Sequence, residues 1–103
     1  MKIFLDDTRS IGDEYGYCAV STYQDFIMLV NAFGHKVEVV SLDYHLGEAS
    51  EGNGLDALMY LHERGIYPNH INIHSSHVFG APKMVDYAEK HFPKSTITTR
   101  KVD

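Results

Sequence analysis

An α/β fold with a parallel sheet of about five strands is what this chain predicts, and three observations predict it. Short apolar runs recur along the sequence: KIFL, YCAV, VEVVSL and INI, with Ile97 in a last short one. From Val20 onward, the stretches between them carry apolar residues at helical spacing, bounded by polar starts and by glycine or proline stops. Three of the runs end on acidic or imidazole side chains, at Asp6 and Asp7, at Asp43 and His45, and at His74 and His77. In a parallel sheet all strands point one way, so these ends converge on the edge where such folds place their ligand sites.

The first strand covers roughly 2–5 and enters a polar loop from Asp6 to Tyr15 that shows no helical pattern, before a short strand at about Tyr17 to Val20. A helix starts at Ser21 or Thr22; Asp25 has capping-box spacing from Thr22, and Tyr23, Phe26, Ile27 and Val30 mark one apolar face. Gly34 stops it. The next strand runs from Val37 to Leu42, and the loop GEASEGNG reads as mobile. It leads into a helix carrying Leu55, Leu58 and Met59 and closed by Arg64 and Gly65, with Asn53 or Asp56 stabilising its start. GNGLD has neither the GxGxxG spacing nor the GKS or GKT ending of phosphate-binding glycine loops. Ile71 to Ser75 forms the fourth strand, and Pro82 suits the first turn of a helix with Met84, Val85 and Ala88 that Pro93 ends. This order predicts a parallel sheet with covering helices in a single domain spanning 1–103. One strand breaks the pattern: Asn72 and His74 share a face opposite Ile71 and Ile73, where a central parallel strand is usually apolar on both faces.

Fourteen acidic residues against nine basic ones leave a net charge of -5, which argues against a broad nucleic-acid surface; a phosphate ligand must be met locally. Cys18 is the only cysteine, so neither an intrachain disulfide nor a cysteine-based zinc cluster is available, as suits a reducing cytoplasm. With no apolar run of membrane length and no signal-peptide stretch in MKIFLDD, the expectation is a cytoplasmic protein without a membrane partner.

Asp6 and Asp7 at one strand end and Asp43 at another offer hard oxygen ligands, suited to Mg²⁺ or Mn²⁺ rather than Zn²⁺. The plainer alternative is that Asp6 and Asp7 only turn the loop ahead of Arg9. His45 faces the same way as Asp43 if the strand persists that far, and His74 and His77 bring imidazoles from the next strand end, either to bind a cation or move a proton, or simply to pack. His35, His62, His70 and His91 read as surface or packing residues. Gly80 opens a helix whose free N–H groups suit an anion, with Lys83 in its first turn, while Ser75 and Ser76 can meet a phosphoryl oxygen or satisfy the strand end.

Together, LDDTR, SLDYHLG, GNGLD and HSSHVFGAPKM resemble the cyclic-phosphate processing receiver-like domain family, whose corresponding stretches read LDDER, SLDHDLG, GTGYD and HSxNPxGxxxM. The resemblance spans nearly the whole chain. It implies a three-layer, flavodoxin-like receiver fold with the first helix replaced by a loop, and it supports Asp6, Asp7, Arg9, Asp43, Gly47, Gly54, Asp56, His74, Ser75, Gly80 and Met84 as site or framework positions. The sequence departs where Tyr44 and His45 replace His then Asp, and where His77 replaces Asn.

The function this implies is a metal-dependent phosphoesterase or processing domain acting on a cyclic phosphate, either a 2′,3′-cyclic RNA end or a cyclic nucleotide. Asp6, Asp7 and Asp43 would hold the cation. His74, His45 and Asp43 would form the catalytic set, His74 as acid, base or direct ligand, and Arg9, Ser75, His77 and Gly80 would bind the ligand. Two rivals stand beside it: a signalling receiver phosphorylated on Asp43, against which TTRKVD offers only Lys101 for the lysine expected of a receiver, and a non-catalytic sensor of cyclic phosphates.

Overall fold

The computed structural model describes residues 1–9 and 16–99. Strands β1 (Lys2–Leu5), β2 (Tyr17–Val20), β3 (Val39–Leu42), β4 (His70–Ile73) and β5 (Thr96–Thr98) alternate, after β2, with helices α1 (Tyr23–Phe33), α2 (Gly54–Glu63) and α3 (Gly80–His91). All neighbouring strands pair in parallel, in the order β2-β1-β3-β4-β5. This is the parallel α/β sheet that the order of elements predicts, in the receiver-like architecture that the family resemblance implies.

The steps from β2 to β3, β3 to β4 and β4 to β5 all advance across the sheet in one direction. Right-handed crossovers therefore put α1, α2 and α3 on the same face. There Ile3, Leu5, Val40, Leu42, Ile71 and Ile73 meet Phe26, Val30, Leu58, Leu61, Met84 and Ala88 in one core. The β1-to-β2 step runs the other way, and among the described residues no helix lies on the opposite face. The loop expected from Asp6 to Tyr15 in place of a first helix carries no helix as far as Arg9, and 10–15 lie outside the described residues.

Several local expectations shift for identifiable reasons. After α1, Gly34 takes a φ of 54°, and Val37 N–H closes a short 3-10 turn on Gly34 O at 3.2 Å. β3 therefore starts at Val39 rather than Val37, although Val37 still reaches the core. β4 ends at Ile73, two residues before Ser75. On α2 the buried residues include Ala57, Leu58 and Leu61, whereas Met59 is exposed, one hundred degrees of helix turn away from Leu58.

The loop before α2, expected to be mobile, is tied to the start of α1. Tyr23 N–H donates to Ser50 Oγ at 2.8 Å, Gln24 Nε2 donates to Ala49 O at 2.8 Å, and Glu51 N–H donates back to Gln24 Oε1 at 2.8 Å. Both helix starts are capped. Thr22 Oγ1 accepts Asp25 N–H, and Asn53 with Asp56 makes a reciprocal capping box.

Candidate functional site

The sheet register brings the chemistry together. Leu42 pairs with Leu5 on one side and with Ile73 on the other in the last paired row of β1, β3 and β4. One residue further on, Asp6, Asp43 and His74 stand side by side, and the backbone pairing carries on into this row: Asp43 N–H donates to Leu5 O at 2.9 Å and His74 N–H to Leu42 O at 3.1 Å. Each of the three offers a ligand atom within 4.8 Å of the other two.

Asp6 is buried and meets several donors. Its Oδ1 accepts Thr8 N–H at 2.8 Å, Thr8 Oγ1 at 3.1 Å and Arg9 N–H at 3.0 Å, as in a turn-forming aspartate. Its Oδ2 faces His74 Nε2 at 2.9 Å and Arg9 Nε at 3.7 Å. Burial on its own would raise the pKa, but the backbone N–H groups of Arg9 and Thr8, joined by His74, outweigh it and hold Asp6 below the usual carboxylate value.

His74 is fully buried, its ring stacked on Phe4 with centroids 4.7 Å apart and planes 3° from parallel. Burial pushes its pKa down, against the pull of Asp6, which favours the neutral ring. Both nitrogens are engaged, Nε2 with Asp6 and Nδ1 with Ser41 Oγ at 2.8 Å. Asp43 is half-buried and accepts Tyr44 N–H on Oδ1 at 2.8 Å. The two carboxylates suit a hard, oxygen-preferring cation, whereas the imidazole is already occupied.

The other expected residues sit around this row rather than in it. Asp7 is exposed and turned towards the β3–α2 loop, where a Cβ at Gly47 would lie 3.0 Å from its Oδ2. His45 is exposed because β3 ends at Leu42, before the alternation reaches it. His77 is exposed as well, but its Nδ1 accepts Gly80 N–H at 2.9 Å and its carbonyl accepts Ala81 N–H at 3.1 Å. With Pro82 next, lacking an N–H, the start of α3 has its first donors engaged, contrary to the expected open anion site. Ser75 Oγ accepts His77 N–H at 3.1 Å, so it too serves the turn. Lys101 lies outside the described residues.

Sequence reasoning missed Ser41 and read Tyr44 only as a departure from the family pattern. Ser41 is the polar interruption of the apolar run VVSL, a signal that was there to be read. The Tyr44 ring lies 4.8 Å from the His77 ring and so close to Gly80 that an added Cβ would come within 2.2 Å of it. It thereby joins the β3–α2 loop to the start of α3. A cleft of about 350 Å³ opens beside the row, bounded by Asp6, Asp7, Arg9, Ser21 and Asp25. A larger cavity of about 540 Å³, lined by Tyr67, Asn69, Phe92 and Lys94 among others, lies at the far edge, by the N-terminal ends of β4 and β5.

Among the described residues, no helix is long and apolar enough to cross a membrane. Comparison with curated proteins and with solved structures found no match. The family described as Cyclic-phosphate processing Receiver domain matches residues 1–90, which take in the acidic row, both histidine positions after β4, α1, α2 and all of α3 except His91. The chain therefore belongs to the cyclic-phosphate processing receiver domain family.

Proposed function

We propose that this domain hydrolyses a cyclic phosphate with the help of a divalent cation held by Asp6 and Asp43. The observation that carries the reading is the row of Asp6, Asp43 and His74, with ligand atoms within 4.8 Å of one another at the edge where a parallel sheet binds ligands. A cation bound there would neutralise phosphoryl charge and favour attack by water.

The chain's own residues divide the remaining work. Asp43 is the more open of the two carboxylates and faces the ligand, while Asp6 is held in place by Thr8, Arg9 and His74. His74, with no exposed surface, orients Asp6 rather than meeting substrate. His77 accepts Gly80 N–H on Nδ1, so in the neutral ring the proton is on Nε2, on an exposed side chain that can donate to the leaving ring oxygen. Arg9, part-exposed beside Asp6, supplies positive charge for a non-bridging oxygen. Water adds to phosphorus, one ring P–O bond breaks, the departing oxygen takes the proton of His77 Nε2, and the proton lost by the water restores the His77 ring.

A second reading has a specific observation in its favour: half-buried Asp43 stands at a strand end beside a second carboxylate, the arrangement needed for an aspartate that accepts a phosphoryl group. One experiment separates them. Purified protein with Mg²⁺ or Mn²⁺ is followed by phosphorus NMR against 2′,3′-cyclic and 3′,5′-cyclic nucleotides, with acetyl phosphate in parallel. Ring opening that His77→Ala slows by about a hundredfold or more supports the hydrolase. No ring opening, with a stable acyl phosphate on Asp43, supports the signalling receiver.

A further inference from the structure

Behind the acidic row, polar side chains cross the sheet in single file. His70 Nε2 lies 2.7 Å from Thr98 Oγ1, Thr98 Oγ1 donates to Asn72 Oδ1 at 2.7 Å, and Asn72 Nδ2 donates to Ser41 Oγ at 3.1 Å. Ser41 Oγ then lies 2.8 Å from His74 Nδ1, and His74 Nε2 lies 2.9 Å from Asp6 Oδ2. This face, opposite the three helices, carries the polar residues that break the expected apolar pattern of β4.

The chain of bonds has a direction. An ionised carboxylate only accepts, so Asp6 requires the proton of His74 on Nε2, which leaves Nδ1 as an acceptor. Ser41 must therefore give its single proton to Nδ1 and accept from Asn72 Nδ2, and Thr98 gives its proton to Asn72 Oδ1 while accepting from His70 Nε2. Turning the Asn72 amide over would reverse every link and set the Nε2 lone pair against the Asp6 carboxylate, so only one orientation is consistent. The amide in the middle transmits orientation and does not conduct protons.

We propose that Ser41 and Asn72 are positioning residues that hold His74 as an N–H donor to Asp6, which denies a bound cation an imidazole ligand and keeps the acidic site selective for oxygen-preferring cations. This rests on the cation reading given above. A cation that seeks nitrogen, such as Zn²⁺, loses its preferred ligand in such a site, whereas Mg²⁺ loses nothing. Ligating carboxylates are commonly held by outer hydrogen bonds of this kind, and loss of one typically changes metal affinity by about 10- to 100-fold.

The test is nitrogen NMR of histidine-labelled protein together with titration of Mg²⁺ and Zn²⁺ followed calorimetrically. Wild-type His74 should be neutral with its proton on Nε2, and Mg²⁺ should leave that signature in place. Asn72→Asp should turn the Ser41 hydroxyl to donate to the new carboxylate, move the His74 proton to Nδ1, and raise affinity for Zn²⁺ relative to Mg²⁺ by about tenfold or more. If the buried carboxylate prevents folding, the wild-type spectrum decides alone. A proton on Nδ1 in the wild type, a His74 signal showing direct coordination of Mg²⁺, or a folded Asn72→Asp with unchanged tautomer and metal ratio overturns the proposal. Absence of any Mg²⁺ binding by the wild type removes the cation reading and the selectivity claim with it, while the tautomer separately decides whether the chain of bonds holds His74.

Discussion

Asp6 and His74, 68 residues apart in sequence, share a hydrogen bond of 2.9 Å in which both side chains are buried. The bond joins the ends of two strands that are not themselves neighbours, since β3 lies between β1 and β4. It spans the acidic row behind Asp43 and makes the position of the first aspartate depend on the fourth strand.

Acid should weaken the fold in two stages. His74 has its pKa lowered by burial, so the folded state resists protonation, and stability falls as pH drops below the ordinary histidine value of 6.5 until the folded pKa is passed. Asp6, whose lowered pKa reflects its donors overcoming burial, adds stability that is present above 3.8 and is lost as pH falls through its folded pKa. Urea unfolding from pH 8 to pH 4 should show the upper stage in the wild type and lose it in His74→Gln, which keeps a donor for Asp6. An upper stage unchanged in the variant would mean that another group carries it.

Gly54→Ala should destabilise, although alanine is the better helix former by about 1 kcal/mol. A Cβ at position 54 would lie 2.0 Å from the Asp43 carbonyl oxygen and 2.8 Å from Met84 Cε, so backbone must move. Overpacking of this kind costs about 1–3 kcal/mol, and here the displaced backbone is that of Asp43. Chemical denaturation and Mg²⁺ titration of the same variant should both show a loss. A stabilised variant with full cation affinity would show that the α2 start can shift without disturbing Asp43.

Tyr44 and Gly80 should behave as a coupled pair. The Cβ of Gly80→Ala would come within 2.2 Å of the Tyr44 ring, and Tyr44→Ala removes the obstacle. The double variant should then be more stable than the sum of the single losses by about 0.5–3 kcal/mol, the range for residues in contact. Strict additivity would mean that the ring moves aside freely.

The architecture was legible because the strands are short apolar runs and the helices are punctuated by Thr22, Gly34, Asn53 and Pro93. The row itself was legible in part. Asp6, Asp43 and His74 were each recognised as strand-end residues, but the backbone register that sets them side by side follows from which strands pair. Asp7 and His45 could not be placed, because alternation holds only while a strand lasts, and β1 and β3 end at Leu5 and Leu42. The fastening of the loop before α2 was hidden for another reason: it uses side-chain bonds between Gln24 and residues 49 and 51, a separation of 25–27 residues without periodicity. Asn72 looked like a flaw in a buried strand, and the positions of Ser41 and Thr98 show that it is bonded there.

Comparison of two aspartate variants tests the proposed binding of a divalent cation by Asp6 and Asp43. The melting temperature of the wild type should rise with Mg²⁺ or Mn²⁺, by the equivalent of about 2.7 kcal/mol at a hundredfold excess over the dissociation constant. Asp43→Asn should abolish most of that rise while leaving the metal-free fold intact, and Asp7→Asn, at an exposed carboxylate turned towards Gly47, should retain most of it. A rise that survives in Asp43→Asn and disappears in Asp7→Asn would contradict the account.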